Sequence, residues 1–412
     1  MKPVISFFYI TLCSTAFSQG LYDTSVADTY EDESSIKFTG SARVGYDDNT
    51  QPIGSNSVVG QKIGSAYLGA DIRGDYDLIR SNTTINAFGK LGVINYFSSE
   101  ATENPLSIVF NGGFSFSHAL NERLRLSSNN YITHGYEPDY ERGIANDRRS
   151  EIYTAYSSYN SLGIRWSRRF GTRHALNFVG ADYGNGNEYS QVVLGNSIRF
   201  RYDDRTILKA GQNIRFNENS KHYSASVGLE HSFSERTGLN FKIGAGGLRA
   251  DSGYSTNSLY LETSVTHQSS EKLSFNGYAN YGVDDNFTQI ATTPINVPGT
   301  FIGFDTATFQ AKKSLRAGLS ANYAFSPKLS LYSGLSVVHT TYIDQNGTTN
   351  ILGQSYSDIG ALIFNINAGI KFGITDTSSA VFNMNHTTSS SDEAVGFDYS
   401  RNRYSLGVES LF

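Results

Sequence analysis

Ile36-Lys37-Phe38-Thr39-Gly40-Ser41-Ala42-Arg43-Val44-Gly45-Tyr46-Asp47 alternates without a break between residues that suit hydrocarbon and residues that suit water. Successive side chains of a β-strand point to opposite faces, so Ile36, Phe38, Gly40, Ala42, Val44 and Tyr46 share one face. The other face carries Lys37, Thr39, Ser41, Arg43 and Asp47. Strands of globular proteins run to about 5–6 residues and membrane-spanning strands to about 9–11, and this segment is as long as the second kind. It predicts a strand with lipid on one side and water on the other.

The same rhythm returns to the end of the chain. Further outward sets are Ala66/Leu68/Ala70/Ile72, Ile85/Ala87/Gly89/Leu91/Val93 and Ile108/Phe110/Gly112/Phe114/Phe116. Later come Tyr223/Ala225/Val227/Leu229, Leu315/Ala317/Leu319/Ala321/Tyr323 and Leu362/Phe364/Ile366/Ala368/Ile370/Phe372. Short connections at 78–82, 119–123, 168–174, 203–206, 234–238, 267–272, 325–328 and 373–378 alternate with longer ones. The longer set lies near 48–62, 97–107, 133–151, 184–190, 217–222, 249–257, 284–310, 341–356 and 388–401. Short turns on one side and long loops on the other are the asymmetry of an outer-membrane barrel. The chain therefore predicts an all-β fold, a transmembrane antiparallel up-and-down β-barrel of about 18 strands, within 16–20. Closure matters because an open sheet edge in lipid would leave backbone groups unpaired.

Composition agrees. Charged residues are 17% and the apolar set 39%, while 27 Tyr, 26 Phe and 40 Gly stand beside 7 Pro and one Trp. A barrel uses apolar residues sparingly, since only every second strand position must be apolar. Mean hydropathy is −0.33, and past the N-terminus no apolar run nears the ~20 residues of a membrane helix. Residues 1–18 read as a signal peptide: Lys2 is the positive charge, residues 4–17 the apolar core, and Ala16-Phe17-Ser18 the small-x-small site. A lipoprotein signal using Cys13 is the rival, with Leu12 where a small residue is expected. Residues 19–35 are acidic and polar, a flexible periplasmic leader, and 36–412 form the barrel, with both termini periplasmic. The leader is too short for the plug of an energised transporter.

At the C-terminus Tyr404, Leu406, Val408 and Phe412 share the outward face. Gly407, Val408 and Phe412 fit the signal read by the outer-membrane barrel assembly machinery, with Ser410 departing from it. Phe38, Phe116, Trp166, Tyr202, Phe233, Phe325 and Phe372 flank the short turns with outward parity and predict an interfacial aromatic girdle. His118, His231 and His267 at equivalent places read as amphipathic interface residues. Asn196, Gln212 and Ser333 break the outward sets, as a β-bulge or an oligomer contact would.

No HExxH, GxSxG, P-loop or Rossmann pattern occurs, so no catalytic residue, metal site or cofactor is assigned and no enzyme is expected. Asp47-Asp48-Asn49, Asp203-Asp204 and Asp284-Asp285-Asn286 lack the spacing of a calcium loop and read as solvated loop carboxylates. The informative pattern is charge. Arg43, Arg73, Lys90, Arg125, Arg165, Arg199, Arg201, Lys209, Arg215, Lys242, Arg316, Lys371 and Arg403 take the parity opposite the apolar sets. Acids at that parity are Asp71, Glu230, Glu262 and Glu409, while Glu137, Asp139, Glu141, Asp251, Asp284, Asp285, Asp392 and Glu393 fall in loops. A chain of net charge −5 thus has a basic interior, which favours anions in a confined lumen.

Gly45-Tyr46-Asp47-Asp48-Asn49, leaving the first strand, resembles the opening of a family of outer-membrane β-barrel porins associated with exopolysaccharide production loci, and Tyr281-Gly282-Val283-Asp284-Asp285-Asn286 repeats it loosely. The resemblance implies an outer-membrane channel, with polysaccharide as one solute class, and supplies no catalytic residues. The expected function is passive diffusion of small hydrophilic, anionic solutes or acidic saccharides across the outer membrane of a Gram-negative cell. The rival is a non-conducting surface anchor or adhesin presenting loops 137–151 and 284–310. Expected partners are the lipid bilayer, the assembly machinery and the solutes, with no nucleic acid; a homo-oligomer is open.

Overall fold

The computed structural model describes residues 33–50, 63–98, 106–135, 152–182, 188–218, 220–251, 253, 255–284, 288–297, 300–309, 311–343, 359–391 and 398–412. The signal and nearly all of the leader lie outside them. The chain forms strands β1 (Glu33–Asp47), β2 (Ser65–Ile79), β3 (Thr83–Tyr96), β4 (Leu106–Ala119), β5 (Leu124–Gly135), β6 (Tyr153–Arg165) and β7 (Phe170–Asp182). Next come β8 (Glu188–Arg201), β9 (Thr206–Asn217), β10 (Ser220–Ser234), β11 (Thr237–Ala250), β12 (Ser255–Gln268) and β13 (Leu273–Asp284). A two-stranded hairpin, β14 (Thr288–Val297) and β15 (Thr300–Phe309), precedes β16 (Ala311–Ser326), β17 (Leu329–Ile343), β18 (Ile359–Gly373), β19 (Ser378–Ser391) and β20 (Tyr399–Leu411).

All but β14 and β15 belong to one 18-stranded antiparallel sheet. It closes on itself because β1 pairs with both β2 and β20, Arg43 opposing Gly69 on one side and Gly407 on the other. No strand of the ring is an edge, as hydrocarbon demands. The outward sets emerge as expected: Ile36, Val44, Leu68, Ile72, Leu91, Ile108, Leu319 and Leu406 are exposed on the outer wall. Of the expected girdle, Phe38, Trp166, Tyr202, Phe233, Phe325 and Phe372 are exposed beside the short turns, and Phe116 stacks on His118. His118, His231 and His267 each share a hydrogen bond with the cross-strand Thr83, Thr206 and Thr237.

Four expectations need correcting. The connection placed at 217–222 is only residues 218–219, so the loop end has one tight join. The span 284–310 contains the β14–β15 hairpin. β1 starts at Glu33, with Ser34 and Ser35 opposing Leu78 and Asp77, because these small polar residues extend the ladder beyond the alternating segment. Finally, Asn196, Gln212 and Ser333 sit in unbroken register, so none marks a bulge. Register shifts of the ring occur instead at the turns, between Ser232 and Ser234 and between Ala324 and Ser326.

The turns share a unit that the sequence reading overlooked. Asn121, Ser167, Asp203, Ser234, Ser270, Ser326 and Thr375 each accept a hydrogen bond from the amide two residues on. A short polar side chain bonded to its own backbone replaces the ladder partner lost at the bend. The Arg205 amide, at 2.8 Å from Asp203 Oδ1, holds that exposed carboxyl below the usual carboxylate range. Arg123, Arg169, Arg205, Arg236, Lys272 and Lys328 follow two residues after the bonding side chain, placing a ring of cations at this rim.

Glycine and the aromatics are used together. A ring lies over a cross-strand glycine at Tyr67/Gly45, Phe88/Gly113, Tyr278/Gly318 and Tyr332/Gly369 on the inner wall. Phe38/Gly74, Tyr156/Gly180 and Tyr223/Gly247 do the same on the outer wall. The ring covers backbone that a glycine leaves bare, and a Cβ there would enter the ring's space. Gly318→Val should therefore cost about 1–3 kcal/mol by overpacking against Tyr278, read as a lower urea midpoint. Gly89→Val, where a Cβ meets nothing within 4 Å, should leave the midpoint unchanged. Equal midpoints for the two variants would refute this account of the pairs.

Candidate functional site: the charged inner wall

Period-2 alternation turns the charged residues of adjacent strands to the inside, and strand register decides which of them meet. Following directly opposed partners from strand to strand gives Arg165, Gly171, Arg199, Lys209, Gly228, Lys242, Glu262, Asn280 and Arg316. Five of these nine positions are basic and one is acidic. The row is perpendicular to the strands, and barrel strands tilt by ~35–45°, so it climbs as it goes round. Arg165 ends β6 beside a short turn, whereas Arg316 lies near the loop end of β16. Eight strand steps of ~4.8 Å at that tilt rise roughly 25 Å, the height of the apolar band. The row is a ramp running the length of the wall.

Its acids are placed between bases. Glu230 bridges Arg199 Nη2, at 2.5 Å, and Lys209 Nζ, and Lys209 also donates to Asn240 Oδ1 at 3.1 Å. Lys242 Nζ lies 2.7 Å from Glu262 Oε1, and the Tyr260 hydroxyl donates to Glu262 Oε2 at 2.6 Å. The pairing fixes flexible side chains against the wall, and the surplus of bases leaves the ramp positive.

A second group lines β1–β3. Asp71 Oδ2 accepts from Arg43 at 2.8 Å and lies 3.2 Å from Lys90 Nζ. Arg73 reaches Asp75 at 2.7 Å while its guanidinium sits 4.5 Å from the Phe88 ring centre. Across β19, Lys371 meets Glu409 at 2.6 Å. Arg125 and Arg165 stand at the turn ends of β5 and β6, and Arg201 and Arg215 flank the ramp on β8 and β9, all with inward parity.

At the loop end the sequence reading is overturned. Asp47, read as a solvated carboxylate, is 0% exposed. Arg401 Nε approaches both its oxygens, at 3.0 and 3.1 Å, and Arg403 Nε lies 3.6 Å away. Asp48 accepts from the Asn402 backbone amide and side chain at 2.6 Å each, and Asn49 Nδ2 donates to the Ser400 carbonyl at 3.1 Å. The Asp47-Asp48-Asn49 motif thus clasps β1 to β20 at the seam. Tyr67 and Tyr96, with ring centres 5.6 Å apart, pack beside it, and Arg403 Nη2 donates to the Tyr96 hydroxyl at 2.9 Å. Asp203 lies in an exposed turn, and Asp285 and Asn286 fall outside the described residues, as do Glu137, Asp139, Glu141, Asp392 and Glu393. Among the described residues no group of three His, Cys, Asp or Glu could hold a metal.

The inner wall holds charges that the sequence reading missed: Arg173, Lys312, Arg401 and the acid Asp75. Arg173 and Arg401 fall in stretches that read as connections, and Lys312 lies before the alternating set that begins at Leu315. Extending each alternation by a few positions would have found them.

The molecule is a closed eighteen-stranded barrel with an apolar exterior and a charged, net-basic inner wall. Solved structures similar to it include three proteins of Pseudomonas aeruginosa. OccK9 (OpdG) is 12% identical, covering 92% of this chain and 99% of that one, with a TM-score of 0.47. OccK2 (OpdF), solved in complex with glucuronate, is 9% identical over 92% and 98%, with a TM-score of 0.47. OprD is 11% identical over 94% and 97%, with a TM-score of 0.46. No protein-family model and no curated protein matches the chain.

Proposed function

We propose that this chain is a porin-like channel of the bacterial outer membrane, passing small hydrophilic anions or acidic saccharides by passive diffusion. The observation that carries the reading is the register-aligned ramp from Arg165 to Arg316. An anion leaving bulk water for a narrow lumen loses hydration, and successive bases at short intervals along its path offset that loss. Conduction needs release as much as entry, and Glu230 and Glu262 offset part of the positive charge that an anion would meet. An eighteen-stranded ring is wide enough for an aqueous channel, whereas about eight strands fill with their own side chains.

In this reading Arg43, Arg73, Lys90, Arg125, Arg165, Arg199, Arg201, Lys209, Arg215, Lys242 and Arg316 line the pore. The short turns and both termini face the periplasm, after export on the signal of residues 1–18. Gly407, Val408 and Phe412 form the assembly signal; Val408 opposes Ala42 on the outer wall, and the Phe412 amide donates to the Phe38 carbonyl at 2.8 Å. The acidic saccharides of exopolysaccharide are a solute class consistent with these charges. Purified protein in a planar bilayer, under a salt gradient, should give a reversal potential of the sign set by anion permeation. A cation-selective pore, or liposomes that admit no sugar, would overturn the proposal.

A further inference from the structure

Each short turn passes into its second strand through one residue whose carbonyl accepts a ladder bond from the strand beyond. In six turns that residue is a cation: Arg123, Arg169, Arg205, Arg236, Lys272 or Lys328. In the two turns nearest β1 it is Asn82 and Thr377. The ladder turns the cations toward the lumen mouth, since Arg123 opposes the inward Arg165 and Arg169 the inward Arg201. Glu122, Asp204, Glu235 and Glu271 each precede a cation by one residue and so take the opposite parity. All six cations are exposed, and none makes an ion pair among the described residues.

A rim of like charges attracts an anionic partner, and the chain carries one at the same end. Residues 19–32 lead directly into β1 and include Asp23, Asp28, Glu31 and Asp32, with no Lys, Arg or His. β1 starts with Glu33 opposite Ile79, at the short-turn end of the wall. The cations open β5, β7, β9, β11, β13 and β17. Counted round the ring from β1, β5 and β17 each stand four strand steps away, and β9 and β11 each stand eight. The cationic arc is thus centred opposite the root of the acidic segment, and the two neutral places flank that root. A segment anchored at β1 reaches its counter-charges only by crossing the mouth.

The segment is long enough. Strands ~4.8 Å apart and tilted by ~35–45° close an eighteen-stranded ring roughly 36 Å across. The residues from 19 to 32, at ~3.3 Å each, span up to about 46 Å, so the acids reach the far cations. Tethering holds them at an effective concentration of order millimolar, without a second molecule having to be captured. We propose that residues 19–32 dock on the cations of the short turns and lie across the mouth, narrowing it. The occupant of this surface is therefore the chain's own acidic leader. The restriction of flow rests on the channel reading, whereas docking has a readout that needs no conduction.

Two measurements on the full chain test it. In a Cys13→Ala background, Asp28→Cys combined with Arg236→Cys should form a disulfide within one chain on mild oxidation. The closed loop shows as faster migration of the heated, unreduced protein. Asp28→Cys with Ser255→Cys, at the loop end of β12, should not link. In planar bilayers, Asp23→Asn, Asp28→Asn, Glu31→Gln and Asp32→Asn together should raise conductance at least twofold over wild type in about 0.1 M salt. In about 1 M salt, where the Debye length falls to about 3 Å, the ratio should approach one. Asp23→Glu with Asp28→Glu keeps the charge and should conduct as wild type. Equal linking of the two cysteine pairs, or no link in either, would overturn the docking. Equal conductance of an open wild-type pore and the neutral variant in low salt would overturn the restriction and leave the channel standing. If no variant conducts in either salt, the channel reading fails, and the disulfide alone decides whether the leader docks.

Discussion

Asp47→Ala is expected to be the most destabilising single substitution in the described barrel, lowering stability by roughly 3–5 kcal/mol. The carboxylate is wholly buried between Arg401 and Arg403, so its loss removes a buried anion that both guanidinium groups face. The position matters as much as the charge. The seam between β1 and β20 joins the two ends of the chain, the one pairing of the ring that no turn or loop enforces. Asp47→Asn keeps the volume and removes the charge, and should recover only a minor part of the loss. Urea unfolding in detergent micelles reads the difference. Asp398→Ala, at a loop-end carboxylate that accepts from Ser391, should change the midpoint little. A wild-type midpoint for Asp47→Ala would dismiss the clasp.

Replacing Arg199, Lys209 and Lys242 together by Gln should reverse the ion preference of the pore. These residues stand consecutively among the charged positions of the ramp, and their removal leaves Glu230 and Glu262 without lysine or arginine partners in the row. The local charge changes from positive to negative along this part of the row. The reversal potential in a salt gradient should cross zero toward the cation side. Arg123→Gln, which removes a charge from the turn rim, should leave its sign unchanged. Lys209→Arg, which keeps charge but not geometry, should preserve anion preference. If the triple variant selects anions as the wild type does, the ramp is not the conducting path.

The alternation in Ile36–Asp47 was enough to read the fold because a barrel makes every strand obey one rule, apolar outside and polar inside. The same rule located Arg43, Arg199, Lys209 and Lys242 on the inner wall. Register was not legible, since Arg165 and Arg316 become members of one row only through eight successive pairings. Boundaries were blurred at the turns: Phe170 already hydrogen-bonds across to Trp166, yet it belongs to a polar, basic stretch that reads as connection. The β14–β15 hairpin was hidden by Pro294, a residue that argues against a strand and sits at a register shift here. The seam clasp was invisible for a plainer reason. Nothing near Asp47 in the chain indicates that Arg401 will be its neighbour.

The recurring bend, a short polar side chain followed two positions later by a cation, makes most hairpins of this wall equivalent at their closed ends. Equivalent hairpins can be copied or lost as units, always in pairs of strands, and the cylinder can still close antiparallel after either event. A lineage could thus widen or narrow its bore by internal duplication or deletion, without inventing a new fold at any step.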